Sequence, residues 1–188
     1  MEKVETSFND MQTVKRNFFA MRNGVIADTL RRGGSPFRII FGLNLPQISE
    51  IAAKWAPDTA LAERLWANQT TRESMLLAPM IVDRQKFTIE DARRWVAAIP
   101  AHEVADVMCL KLLRHTDYAA QLAAELAGAE AALSRYTAVR LMFNLVQQDP
   151  RAALEFADRM LESETDSVCR TVARQLREEC EFLLEEEA

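Results

Sequence analysis

Along this chain apolar positions recur at helical spacing, and the recurrence itself repeats. Stretches with apolar residues three and four apart end in a bulky apolar residue, pass through a short polar break, and start again. Four of these stretches close on Trp66, Trp95, Leu126 and Leu161, spaced by 29, 31 and 35 residues. A period within ~20 to 50 residues marks stacked repeats. A single helix pair cannot bury its apolar stripe, so neighbouring pairs stack into one core and present a concave face lined by one helix of each. The pattern predicts an all-α fold, an α-α superhelix of antiparallel helix pairs in a curved stack.

Turn and cap residues place the elements. Thr70 with Glu73 and Thr88 with Asp91 have the spacing of capping boxes, and Asp58 and Asp117 stand where caps are needed. Asp149 before Pro150, and Pro100, read as proline helix starts. Helices are expected at 5–22, 24–32, 46–56, 58–68, 71–82, 88–98, 100–115, 117–127, 130–148, 150–162 and 166–186. The one substantial irregular segment, 32–45, holds Gly33, Gly34 and Pro36 and the apolar run Phe37, Ile39, Ile40 and Phe41. Such a run could begin a strand; it is placed instead as a plug over the first repeat. One domain is expected over 1–188, with capping helices and a loop in 1–45 and repeats in 46–188.

Composition narrows the classes. At 188 residues the chain can bury a core without staples, and five glycines with six prolines are too few for a turn-rich β-protein. Cys109, Cys169 and Cys180 are odd in number and share no metal-ligand spacing, so they read as reduced thiols. No apolar run reaches the ~18 residues of a membrane span, and Glu2 and Glu5 stand where a signal peptide would be basic. A cytoplasmic protein with no metal, no cofactor and no membrane contact is expected. The net charge of −5 is unevenly spread. Residues 14–40 carry six cations against Asp28 alone, whereas from residue 117 onward 15 acidic residues face seven basic ones. The basic end suits phosphate, through Arg31, Arg32 and Arg38.

Motifs for dinucleotides, nucleotide phosphates, hydrolase elbows and catalytic zinc are absent from the sequence. After each repeat anchor the next helix brings a cation, or a residue able to become one, into its first turns: Arg72, His102, Arg135 and Arg170. This is what a groove for an anionic partner needs; it is also what solvated helix starts show. His102 and Asp106 share one face at i and i+4, and that face continues through apolar residues. Either Asp106 is an electrostatic or general-base group in a groove, or the two form a helix pair worth ~0.5 kcal/mol or less. Tyr136, beside Arg135, either stacks on a sugar or base or tips into the core.

The run from Phe41 to Ile81 resembles the bacterial DNA alkylation-repair family, the HEAT-like-repeat alkylpurine DNA glycosylases. The resemblance lies in Phe41-Gly42 with Pro46, in Asp58, in Leu65-Trp66, in Arg72-Glu73 and in Met80-Ile81. It implies an all-α solenoid whose concave basic surface cradles duplex DNA. In active members a carboxylate and surrounding tryptophans act on a cationic alkylated purine nucleotide without base flipping. Asp106 matches the family's catalytic aspartate, His102 stands at the place of its tryptophan, and residues 134–136 stand where a second tryptophan falls. The expectation is a divergent, DNA-binding member with weak or absent lesion excision. Against it stands a non-enzymatic scaffold whose concave face binds a protein partner, which an isoelectric point near 5.2 favours.

Overall fold

Side chains at the helix starts take up the first amides, which otherwise lack partners. Asn23 accepts from Val25 and Ile26, Asp58 from Leu61, and Asp149 from Ala152 ahead of Pro150. Asn44 with Gln47, and Thr88 with Asp91, form reciprocal capping boxes. Three expected starts differ. Thr70 and Glu73 make no box, because Thr71 is the cap position and Glu73 turns to a loop; the helix expected from Pro100 begins at His102; Tyr118, not Asp117, precedes the helix there.

The computed structural model describes the backbone of residues 2–186 and the side chains of 10–186. Among the described residues all regular elements are helical, and the chain divides into two units, 1–87 and 88–188.

Unit 1 holds α1 (Glu2–Ala20), α2 (Gly24–Arg32), α3 (Leu45–Trp55), α4 (Thr59–Ala67) and α5 (Arg72–Ile81). Helices α3 and α4 pack on α5, and α1 on α4. All of α5 except Met80 is buried, as expected of a helix enclosed by neighbours. The loop before α3 is fastened to it by a charge. Glu73, fully buried, accepts from the amides of Phe41 (3.0 Å), Gly42 (2.9 Å) and Leu43 (3.3 Å), while Arg72 Nη1 donates to Leu43 O and to Glu73 Oε1, each at 2.9 Å. Only glycine fits at position 42. Its φ is +81°, and a Cβ there would lie 2.1 Å from the carbonyl oxygen of Asn23. Of the apolar run, Phe37 and Ile40 are buried, while Ile39 stays exposed and makes an isolated parallel bridge with Thr71.

Unit 2 holds α6 (Ile89–Ala97), α7 (His102–Lys111), α8 (Ala119–Leu126), α9 (Ala132–Leu145), α10 (Pro150–Ser163) and α11 (Ser167–Glu186). Helices α8 and α9 form one pair, α10 and α11 another, and α7, α9 and α11 pack in sequence. The single helix expected over 100–115 breaks at Leu112 (φ −126°, ψ −68°) and resumes as a 3-10 turn over Leu113–His115, which lets Leu112 and Leu113 both enter the core. Trp66, Trp95 and Leu126 are buried as expected of repeat anchors; in the fourth repeat Met160 is buried and Leu161 only half-buried.

Candidate nucleic-acid interface

Where α7 packs on α9, one polar group remains among apolar ones. On α7, Val104, Ala105, Val107, Met108 and Cys109 are buried, leaving Asp106 with a side chain 36% exposed. On α9, Tyr136 is buried and Arg140, one turn later, is 29% exposed. Two donors meet one oxygen: Tyr136 OH at 2.8 Å and Arg140 Nε at 2.7 Å both donate to Asp106 Oδ1. The exposed His102 ring stands edge-on to Tyr136, with centroids 4.4 Å apart and planes at 78°.

Burial, and then the hydrogen bond to Asp106, push the Tyr136 phenol well above its ordinary pKa, so it remains a donor at any physiological pH. Tyr136 is therefore a buried donor to Asp106. Cys109, beneath, donates to Thr137 O at 3.6 Å, and burial raises its thiol far above the thiolate range, which makes it inert.

The expectation that the helix-start arginines face an anionic partner has to be revised. Arg72 is 5% exposed and spends its guanidinium on Glu73 and Leu43 O. Arg135 donates to Glu164 through Nε (2.6 Å) and Nη2 (3.1 Å), and through Nη1 to the carbonyls of Ala129 and Glu130, just past the end of α8. Arg170 Nη1 donates to Leu161 O and Glu164 O, each at 2.8 Å, at the end of α10. Arg170 thus meets carbonyls left unpaired at the end of α10, where the helix dipole also favours a cation, while Arg135 binds the loop between α8 and its own helix.

In unit 1, Arg31 pairs with Asp28 at 2.8 Å, Arg32 bonds Asp28 O at 3.4 Å, and Arg38 is exposed with no partner among the described residues. Sequence reasoning brought together His102, Asp106 and Tyr136 but missed Arg140. The available signal was its position four residues after Tyr136, on the same face of α9. Among the described residues no group of three or more His, Cys, Asp or Glu could hold a metal, and no helix is long and apolar enough to cross a membrane.

A family profile described as DNA alkylation repair enzyme matches residues 14–181. Comparison with curated proteins gives no match. A solved structure, described as a new family of proteins related to the HEAT-like repeat DNA glycosylases with affinity for branched DNA structures, superposes with a TM-score of 0.76 at 17% identity. The match covers 88% of this chain and 73% of that one. The likeness is one of fold, and it identifies the helix pairs as HEAT-like repeats.

Proposed function

Because the chain belongs to the DNA alkylation repair enzyme family, we propose that it binds DNA through the face of α7 and α9 that carries His102, Asp106, Tyr136 and Arg140. On this reading it excises cationic alkylated purines weakly or not at all. The observation that carries the proposal is how Arg140 is held. Its guanidinium makes one hydrogen bond among the described residues, through Nε to Asp106, so both Nη groups remain for a phosphate. Arg38, with Arg31 and Arg32, adds exposed cations in unit 1. The fold relative's described affinity for branched DNA supports DNA as the ligand class.

Weak excision follows from the same geometry. A cationic glycosidic transition state needs negative charge and an electron-rich face beside the sugar. Asp106 is paired with Arg140, so a cation near the carboxylate also meets a guanidinium; at an effective dielectric of ~20 each such term is worth ~4 kcal/mol at ~4 Å, and the two oppose. His102 supplies less ring surface than an indole, and Tyr136 is buried.

The test is anisotropy with labelled duplex and branched DNA between about 50 and 200 mM salt. Salt-sensitive binding that Arg140→Ala weakens is the expected result. No binding at about 50 mM overturns the proposal in favour of the protein scaffold. Release of methylated purines from treated duplex is the second assay: rapid release that Asp106→Asn abolishes would overturn the claim of weak excision.

A further inference from the structure

Helix α1 buries Val14 and Phe18 against unit 1 and leaves a second row outside. Gln12, Lys15, Arg16 and Phe19, at helical spacing, line a cleft of about 530 Å³ with Phe41, within the ~300 to 1,000 Å³ typical of small-ligand sites. Phe19 is 57% exposed beside the fully buried Phe18. Arg22 lies 3.8 Å over the centroid of the Phe19 ring and is pinned by Nη1 donating to Phe19 O at 2.8 Å. One ring face is thus backed by a cation. Phe41 is rigid: its amide donates to Glu73, its carbonyl accepts from Asn23 at 2.8 Å, and its ring packs on Phe18 with centroids 5.7 Å apart. Among the described residues no acidic one lines the cleft.

We propose that this cleft takes an unpaired nucleobase against Phe19, with the flanking phosphates on Lys15 and Arg16, so that it recognises single-stranded DNA at the end or branch of a duplex. An aromatic ring flanked by cations is a sequence-tolerant platform for single strands, and the positive charge of Lys15 and Arg16 favours a polyanion over a protein surface of mixed charge. Within a duplex the faces of each base are covered by the neighbouring pairs, so none is free for Phe19 and duplex gains little there. The inference rests on the DNA-binding reading above but concerns different residues in the other unit.

The experiment compares the wild type with Phe19→Ala, Phe19→Trp and Arg140→Ala on duplex, on a forked duplex with one single-stranded arm, and on free single strand. Phe19→Ala should weaken fork and single-strand binding about tenfold and duplex binding less than about twofold. Phe19→Trp should restore affinity, and its added emission should be quenched by the fork but not by the duplex. Equal losses on duplex and fork overturn the assignment, as does no loss on any DNA, which gives the cleft to a protein partner. If duplex binding persists and responds to Arg140→Ala while Phe19→Ala is silent, the cleft alone fails. If the wild type binds none of the three, the DNA-binding reading falls with it.

Discussion

Helix α9 holds two arginines five residues apart, and each gives its Nε to a carboxylate, Arg135 to Glu164 at 2.6 Å and Arg140 to Asp106 at 2.7 Å. At Glu164 the site is closed. The side chain is buried, both oxygens receive Arg135, and the amides of Thr165 and Asp166 each add a bond of 2.8 Å. At Asp106 one oxygen takes both donors, and a third of the side chain meets solvent. Glu73 in unit 1 follows the Glu164 pattern with three loop amides and Arg72. A carboxylate whose lone pairs are filled by protein donors organises backbone; one left partly unfilled can meet a ligand.

The largest effect expected from this contrast is at Glu73. Glu73→Ala strands three loop amides and a buried guanidinium, and losing one partner of a buried pair costs about 3–5 kcal/mol, a large share of a typical domain's ~5–15. Urea denaturation should show unit 1 unfolding first. A loss below about 1 kcal/mol would put Glu73 in the same class as Asp106.

Glu164 offers a test by pH. Hydrogen bonds from Arg135, ahead of those from the Asp166 amide, lower its pKa from the ordinary 4.5 to about 2 despite burial. Its folded value lies below its unfolded one, so its contribution is full above about pH 5 and disappears as pH falls toward 2. Glu164→Gln should cost about 2–3 kcal/mol at neutral pH, and the gap between wild type and variant should close across that window. A gap that stays constant with pH would show that packing, not charge, is at stake.

The helical architecture was legible because it is local and repeated. Apolar spacing gave the elements, and Thr88, Asp58 and Asp149 are caps within three residues of the amides they bind. What failed to show was long-range. Nothing adjacent to Glu73 reveals that its partners lie about thirty residues earlier, at Phe41 to Leu43, so the pair Thr70 and Glu73 looked like a cap. Arg135 and Arg170 displayed their charge but not its target, because the carbonyls they reach belong to the corner before their own helix. At the candidate site the i,i+4 rule found His102 with Asp106, yet the contacts that orient Asp106 come from α9, thirty and thirty-four residues on.

A smaller effect separates positioning from binding at Asp106. Tyr136→Phe removes one donor, and solvent reaches the carboxylate, so stability should fall by only about 1 kcal/mol. Any DNA affinity that depends on where Asp106 holds Arg140 should fall with it. Unchanged affinity would mean that Arg140 is placed by α9 alone.

The smallest stability change, and the clearest reversal of the Glu164 behaviour, is expected at Arg140. Its ion pair is open to solvent, and exposed pairs contribute about 0–1 kcal/mol, so Arg140→Ala should barely move the urea midpoint. Binding should respond instead, because removing one phosphate contact lowers the slope of log K against log salt by about one unit. Arg135→Ala should do the opposite, costing stability through the stranded Glu164 while leaving the salt slope in place once folding is secured at low temperature. Arg140→Lys refines the point: a lysine keeps the charge but has no Nε to hold against Asp106 while two further donors reach outward, so it should retain the salt slope and lose part of the affinity. If Arg135→Ala lowers the slope and Arg140→Ala does not, the filled and open carboxylates have been assigned the wrong way round.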